Sequence, residues 1–403
     1  MRVALDTILR RFVRNGRLTV RWPDGRYSNY SGAAGPAAAF ALTDWATVRH
    51  LTIDPSLALG EAYMNGTLVP DGCGIFDVLD VGVSNMAGNL SGHPLLWLSD
   101  SLHLLTRRLD QYNPARRSRA NVAHHYDLNG RLYSLFLDRD RQYSCAYFPR
   151  GDETLEEAQA AKKRHIAAKL CLTRPGLHVL DIGCGWGGLA LTLARDHGAR
   201  AAQEGLTDRV RFELVDYRSL NQKFDRIVSV GMFEHVGVNH FRRFFSQIAQ
   251  CLTADGVPLL HAIGRGHGAG STNPWIRKYI FPGGYCPALS EVLPPLEKSG
   301  LLVTDIEILR LHYAETLRHW RWRFAANRDA IAALYDERFC RMFEFYLAGS
   351  ELSFRREHQM VFQIQMAHEP MAVPLTRDYI TAANRADPHT VGSAIMAEQR
   401  WVP

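Results

Sequence analysis

The stretch HVLDIGCGWGGLA, residues 178–190, decides the fold class of this 403-residue chain. Its first residues are typical of a buried strand that ends near Asp181, and an apolar helix follows. Between them lie Gly183, Gly185, Gly187 and Gly188. Glycines let a ligand approach the backbone, and the start of the helix offers amide donors. The spacing differs from the dinucleotide pattern G-x-G-x-x-G, which favours S-adenosylmethionine over NAD; the alternative is a tight turn without a ligand.

Composition and charge describe a protein of the globular class. Hydrophobic residues make up 46% of the chain and the net charge is +6, which is compatible with an anionic surface as partner. The seven cysteines are dispersed, which favours reduced thiols in the cytoplasm. The N-terminus lacks the apolar core of a signal peptide, and no segment has the roughly 20 apolar residues that span a membrane. We therefore expect a cytoplasmic protein that is at most peripheral on the inner face of the membrane.

The patterns divide the chain into an N-terminal α+β domain (1–105), a basic linker (106–122) and a larger domain (123–403). In the first domain, residues 16–32 predict a hairpin around Pro-Asp-Gly, residues 47–53 a strand, and residues 56–68 a short helix. An apolar helical pattern with a basic flank covers residues 95–119. It is typical either of a helix packed between domains or of one on an anionic membrane surface.

The larger domain alternates strands and helices, which predicts a mostly parallel sheet covered on both faces. Thr154 and Glu157 have the spacing of a capping box at the start of a helix. Residues 226–230 predict a strand, and a helix, a turn at Asp255 and a strand ending at His261 follow. Residues 317–324 interleave Arg with Trp, but their apolar spacing favours a helix with a buried face over a nucleic-acid site.

Strings of residues along most of the chain resemble the cyclopropane-fatty-acyl-phospholipid synthases, a family that includes mycolic acid cyclopropane synthase-like enzymes. Besides the glycine turn and LALGEAYMNGTL, these are NVAHHYDL (121–128), YSCAYF (143–148), LEEAQ (155–159), DRIVSVGMFEHVG (225–237), LLHAIG (259–264), PWIRKYIFPGG (274–284) and RMFEFYLAG (341–349).

The resemblance implies a Rossmann-like class I methyltransferase sheet that uses S-adenosylmethionine. Such enzymes add the sulfonium methyl to a cis double bond of a phospholipid acyl chain, and the resulting carbocation loses a proton to a bound bicarbonate and closes to a cyclopropane. The partners implied are membrane phospholipids with unsaturated acyl chains. No metal and no nucleic acid are expected, and the first domain and the basic linker are candidates for homodimer contacts.

The site residues are carried over by position in the matching strings. Those implied to surround bicarbonate are Cys145, Glu234, His261, Ile263 and Tyr313. Those implied to face S-adenosylmethionine are Tyr143, Ser144, Asp181, Gly183, Cys184, Gly185, Trp186, Gly187, Asp216 and Tyr217.

Chemistry gives independent reasons for such a set. A carbocation must be kept from water, so the site has to be dry, and an anion in a dry site needs hydrogen-bond donors. His261 and Tyr313 are suitable donors, and Glu234 can exchange a proton with the ion. Taken singly, His261 is typical of a structural hydrogen bonder and Cys145 of a small buried residue. Residues 274–284 suit an acyl-chain entrance with cations for lipid phosphate, or alternatively a packed loop.

One element of the family pattern is absent. After the helix that follows the glycine turn, the family has a strand and a Thr-Leu-Ser-x-x-Gln turn that hold the ribose and adenine. Here Arg200 runs directly into Ala201, and Glu204 is better explained as the tail of a helix than as a ribose ligand. Either residues 209–215 pair with the first strand, so that Asp216 takes over the ribose contact, or the sheet edge stays open.

Three functions are consistent with these patterns. The first is an active cyclopropane-fatty-acyl-phospholipid synthase, and the second is a fatty-acyl C-methyltransferase that shares the carbocation. The third is a catalytically impaired lipid-binding homologue, which the missing strand favours.

Overall fold

The computed structural model describes residues 2–86, 130–172, 174, 176–197 and 210–385. The helices are α1 Arg2–Phe12, α2 Trp45–Ile53, α3 Pro55–Met64, α4 Ile75–Met86, α5 Gly130–Phe136, α6 Leu155–Lys169, α7 Gly188–His197, α8 Phe241–Cys251, α9 Pro274–Tyr279, α10 Leu289–Glu297, α11 His312–Ala326, α12 Arg328–Leu334, α13 Glu337–Arg356 and α14 Asp378–Arg385. The strands are β1 Asn15–Arg21, β2 Tyr27–Ser31, β3 Ala33–Leu42, β4 Leu68–Pro70, β5 Val179–Ile182, β6 Phe224–Val230, β7 Leu252–Arg265, β8 Leu302–Leu309 and β9 Gln359–Ala367.

These elements form two compact units that are each built from three stretches of chain. The first unit combines the described residues of 1–136, 269–285 and 313–359, and the second combines those of 137–268, 286–312 and 360–385. The predicted boundary at 105, the linker 106–122 and the helical pattern at 95–119 all lie outside the described residues.

The first unit contains a four-stranded sheet in the order β2-β1-β3-β4. Strands β1 and β2 form the predicted hairpin, with Leu18 opposite Tyr30, and both side chains are buried. The core also contains Ala348 and Leu352 from α13, so this late helix packs with the N-terminal elements. Helix α3 ends at Met64 before Asn65 and Gly66, as predicted, and Gly66 has a φ of 72°, which an L side chain rarely adopts.

The strand predicted for residues 47–53 is wrong, because these residues belong to α2. Asp44 caps this helix, and its carboxylate accepts a hydrogen bond from the backbone N–H of Thr47 at 2.7 Å. The buried side chains of Thr47, Val48 and Leu51 follow a helical period rather than alternation.

Helix α9, at the start of the string 274–284, packs on α3. The indole of Trp275 is fully buried and donates to the sulfur of Met64 at 3.1 Å. A Cβ added to Gly60 would lie 2.4 Å from the same indole, so only glycine allows this approach. Lys278 binds the carboxylate of Glu61 at 2.7 Å. Within the first unit this string therefore has the contacts of a packed element.

The second unit contains a five-stranded sheet in the order β5-β6-β7-β9-β8. Strands β5, β6 and β7 are parallel, whereas β8 and β9 are antiparallel. Alternate residues of β6 face opposite sides of the sheet. Ile227 packs with the aromatic residues of α8, and Val228 packs with α6 and α7. The sheet is therefore covered on both faces, as predicted.

Strand β7 is longer than predicted and contains no separate turn at Asp255. It runs through that residue and continues past His261 to Arg265. The pairing with β6 jumps from Phe224–Leu252 to Arg226–Val257, so the Asp-Gly pair is absorbed in a bulge of one continuous strand.

The missing strand leaves the sheet edge open in the described residues. Strand β5 pairs with β6 on one side, and no described strand pairs with its other side. The strand predicted for 209–215 is wrong for its described part, residues 210–215, which have no strand partner, and Leu214 is fully exposed. An apolar run without a neighbouring strand has no ladder to join, so the second of the two expected outcomes is observed.

Candidate active site at the carboxyl ends of the parallel strands

The glycine turn follows β5 at the carboxyl edge of the sheet. Gly183, Gly185 and Gly187 have φ values of 82°, 56° and 82°, in the region that favours glycine. A Cβ added to Gly183 would lie 2.9 Å from the Cβ of Met232, which follows β6. The turn therefore depends on glycine for its conformation as well as for the close approach of neighbouring groups.

The pKa values of two side chains at this turn, Asp181 and Cys184, are raised. Burial raises the pKa of Asp181 to about 7, against the opposing charge of Lys162. Burial and the nearby Asp181 also raise the pKa of the Cys184 thiol, so this cysteine is in its thiol form at neutral pH. Trp186, the remaining side chain of the turn, is 37% exposed.

Helix α6 holds the loop that carries Tyr143, Ser144 and Cys145. Gln159 donates to the carbonyl of Ser144 at 3.0 Å, and the Lys162 ammonium donates to the Ser144 hydroxyl at 3.0 Å. Burial lowers the pKa of Lys162 to about 8. The Cys145 side chain is buried at the end of this loop. Gln159 and Lys162 of α6 thus hold this loop in place through hydrogen bonds to Ser144.

Lys162 and Gln159 are functional candidates that the sequence analysis missed. The signal was present, since both share a face of α6 with the buried residues Leu155, Ala158 and Ile166. A lysine on the apolar face of a helix is rarely buried without a partner, so it predicts a nearby buried hydrogen-bond acceptor.

Glu234 and Ile263 lie in direct contact. Oε1 of Glu234, in a 3₁₀ turn after β6, accepts the backbone N–H of Ile263 near the end of β7 at 2.5 Å. Burial raises the pKa of this carboxyl to about 7. Its second oxygen, Oε2, is buried without a hydrogen-bond partner among the described residues. The structure therefore presents a buried acid that can change protonation state near neutral pH.

His261 lies on β7 opposite Val230 of β6 and is 2% exposed. Its Nδ1 is 3.0 Å from Nε2 of Gln363 on β9. Burial, together with the nearby positive charges of Lys162 and Lys169, lowers the pKa of His261 to about 3. The imidazole is therefore neutral at physiological pH.

The remaining predicted residues are described by their own contacts. Tyr313 belongs to the first unit, where its ring packs against Phe354 at 4.9 Å between centroids. Asp216 caps the short 3₁₀ turn Tyr217–Ser219, and its carboxylate accepts the guanidinium of Arg218 at 2.5 Å. Burial raises the pKa of Tyr217 to about 12, and its ring packs against α8.

Phe212 occupies a position that the sequence did not indicate. Its ring lies over the glycine turn, and a Cβ added to Gly187 would lie 2.4 Å from its Cζ. The ring itself is 43% exposed. A ligand that approaches the backbone of Gly187 therefore meets this side chain.

The described helices include none that is both long and apolar enough to cross a bilayer.

Comparison with known families gives two matches. The model of mycolic acid cyclopropane synthetase matches residues 113–364, and a domain of unknown function matches residues 4–90. The first match covers more than half of the chain.

Relatives of known name agree with this match. The chain is 39% identical over 326 residues to "Cyclopropane-fatty-acyl-phospholipid synthase" of Escherichia coli, covering 77% of this chain and 82% of the relative. It is 34% identical to "Tuberculostearic acid methyltransferase UfaA1" of Mycobacterium tuberculosis, covering 90% and 91%. It is 38% identical to "Probable fatty acid methyltransferase" of Pseudomonas putida, covering 67% and 77%.

Solved structures show the same fold. The cyclopropane synthase MmaA2 from Mycobacterium tuberculosis superimposes with a TM-score of 0.57 at 33% identity, covering 64% of this chain and 99% of that one. Mycolic acid cyclopropane synthase CmaA1 complexed with SAH and CTAB gives 0.56 at 33% identity, with the same coverage. The chain thus belongs to the mycolic acid cyclopropane synthetase family and is an S-adenosylmethionine-dependent methyltransferase.

Proposed function

We propose that this protein is a cyclopropane-fatty-acyl-phospholipid synthase that acts on cis double bonds of unsaturated phospholipid acyl chains. The observation that carries the proposal is the buried pair of Glu234 and the Ile263 amide at the carboxyl edge of the sheet. It combines a carboxyl group with a pKa of about 7 and an oxygen that has no hydrogen-bond partner among the described residues. Perturbed acids of this kind are typical of functional sites.

The donor set around the glycine turn suits S-adenosylmethionine. Asp181 can pair with a cationic group of the cofactor, and the positive-φ glycines allow its backbone contact. Ser144, fixed by Lys162, and Tyr143 lie on the loop that faces the cofactor in the family pattern. When bound, the cofactor supplies an electrophilic methyl group.

Bicarbonate suits the second part of the site. Its assigned surroundings are Cys145, Glu234, His261, Ile263 and Tyr313. Glu234 can hold or receive the proton of the ion, because its pKa is close to neutral pH. The neutral His261 can donate one hydrogen bond, which offsets part of the cost of burying an anion. When bound, bicarbonate supplies the base for the proton that is lost as the ring closes.

Specific observations also support two other functions, fatty-acyl C-methylation and lipid binding without efficient catalysis. Relatives that are named methyltransferases favour C-methylation of a fatty-acyl chain, in which the same carbocation is not closed to a ring. The open edge of β5 and the Phe212 ring over the glycine turn favour a catalytically impaired lipid-binding homologue. The synthase reading is preferred because the assigned ion-site residues are all present in the chain.

The proposal includes a setting for the reaction. The substrate lies in a bilayer, so the protein would act as a peripheral protein on the inner, cytoplasmic face of the membrane. The net charge of +6 supports attraction to anionic lipid. A homodimer through the first domain is part of the same proposal.

The experiment combines binding and turnover. Calorimetry of the folded protein with S-adenosylmethionine is expected to give a dissociation constant in the micromolar range. Vesicles with oleoyl chains, incubated with cofactor in buffers with and without bicarbonate, are then analysed by mass spectrometry and NMR. Cyclopropane signals that need bicarbonate support the proposal. A branched methyl product assigns the methyltransferase function, and absence of cofactor binding by folded protein assigns the lipid-binding function.

A further inference from the structure

The amide of Gln363 lies within hydrogen-bond distance of the His261 ring. The two side chains come from neighbouring strands, β9 and β7, and their nitrogens lie 3.0 Å apart. Both residues are almost completely buried. None of the sequence patterns singled out this glutamine.

Gln363 is a polar side chain in a fully buried position on β9. Phe362, Ile364 and Met366 of the same strand pack in the apolar core on one face of the sheet. The alternating residues Gln363 and Gln365 face the other side and are also buried. Oε1 of Gln363 has no hydrogen-bond partner within the described part of the chain. A buried oxygen without a hydrogen-bond partner is destabilising, so an apolar residue at this position would give the more stable protein.

The surroundings keep the His261 ring neutral. Burial and the nearby Lys162, Lys169 and His165 disfavour a second proton on the ring, and the charge of Glu307 opposes them. A neutral imidazole carries one proton, on either Nδ1 or Nε2. The partner of one nitrogen therefore decides what the other can do.

We propose that Gln363 is a positioning residue that donates its amide N–H to Nδ1 of His261 and so keeps the ring proton on Nε2. The Nε2–H group then serves as a hydrogen-bond donor for an anionic oxygen in the active site. The effect on turnover rests on the proposed bicarbonate-dependent function, whereas the tautomer does not depend on it.

The tautomer is measured by nitrogen NMR of protein labelled with ¹⁵N-histidine. The signal of His261 is assigned as the one lost in the variant His261→Gln. The expected spectrum of the native protein shows a protonated Nε2 and an unprotonated Nδ1. In Gln363→Glu, the carboxylate accepts from Nδ1, so Nδ1 is expected to become protonated. A native spectrum with the proton on Nδ1, or an unprotonated Nδ1 in Gln363→Glu, overturns the inference.

Turnover gives a second readout with a variant that adds no charge. In Gln363→Met, which keeps the size and loses the hydrogen bond, the bicarbonate concentration for half-maximal rate should rise by about 10–100-fold, by analogy with the outer-shell partners of metal-binding histidines. The KM for S-adenosylmethionine should stay within about twofold, since β6 and β7 lie between β9, which carries Gln363, and β5, which the glycine turn follows.

Gln365→Met is the matched control, because Gln365 is equally buried on the same strand face but hydrogen-bonds Tyr379 instead. Equal changes in both variants, or no change in Gln363→Met, would count against the positioning role. If the native protein does not turn over, the proposed function fails, while the NMR result still tests Gln363.

Discussion

Replacing Glu234 by Gln should make the protein more stable and less active. The carboxyl group is buried, and its pKa is raised from the usual 4.5 to about 7. The folded state therefore holds the proton more tightly than the unfolded state does. As a result, ionisation of Glu234 costs stability as pH rises through the window from 4.5 to 7.

The magnitude follows from the two pKa values. At about 1.4 kcal/mol per pKa unit, the cost of Glu234 ionisation is about 3 kcal/mol at pH 8. At pH 5 it is about 1 kcal/mol, because the group is then protonated in the folded state. The amide oxygen of Gln can still accept the N–H of Ile263, so the variant keeps that hydrogen bond. Because Gln does not ionise, the variant does not lose stability as pH rises.

The assay is urea unfolding followed by tryptophan fluorescence at both pH values, with turnover measured in parallel. We expect Glu234→Gln to gain about 3 kcal/mol at pH 8 and about 1 kcal/mol at pH 5. Turnover should fall by about 10²–10⁴-fold, the usual contribution of a general acid or base.

Glu351 provides the control for this substitution. It is also buried, but its carboxylate accepts hydrogen bonds from Arg321 and Arg355. Glu351→Gln should therefore destabilise the protein at both pH values, because it removes one partner of an ion pair. A Glu234→Gln variant that is less stable than the native protein at pH 8 would refute the reasoning about burial. Full activity would refute the role of the carboxylate.

Replacing Lys162 by Met should weaken S-adenosylmethionine binding by about 10-fold in calorimetry, because the loop of Ser144 loses two hydrogen bonds from a cation. Unchanged affinity would mean that the loop does not need this support. Phe212→Ala should strengthen cofactor binding severalfold, since its ring lies over Gly187; weaker binding would show instead that the ring is a platform for the cofactor. Residues 210–215 do not pair with β5, so the ribose contact proposed for Asp216 loses its geometric basis. Asp216→Ala should therefore leave cofactor affinity unchanged in the same assay, and weaker binding would keep Asp216 in the site.

Local signals predicted several of the elements correctly. The capping box of Thr154 and Glu157 is present at the start of α6, with Thr154 Oγ1 accepting the N–H of Glu157 at 3.3 Å. The apolar spacing of Leu317, Trp320 and Phe324 gives a helix whose three side chains are buried. Patterns of this kind involve residues that are close in sequence, so they can be recognised from one sequence alone.

The predictions failed or were lacking where the local structure depends on residues that are distant in sequence. Residues 210–215 have strand character, but a strand needs a neighbour, and no strand of the described residues lies on the free side of β5. The contact between Gln363 and His261 joins positions 102 residues apart, and no spacing rule could indicate it. The position of Glu234 in the loop after β6 was predictable, whereas His261 lies within β7 and not at its predicted end. The perturbed pKa values of both residues depend on burial that only the packed structure defines.

The interleaving of the two units along the chain constrains how the protein can be made. The core of the first unit takes Leu5 from the beginning of the chain and Leu352 from near its end. During synthesis, the N-terminal sheet must wait for about 300 further residues before this core can close, at translation rates of about 5–20 residues per second. The nascent chain therefore exposes an unfinished apolar surface for tens of seconds. For the same reason, a fragment cut after residue 136 would lack the helix that completes its own core.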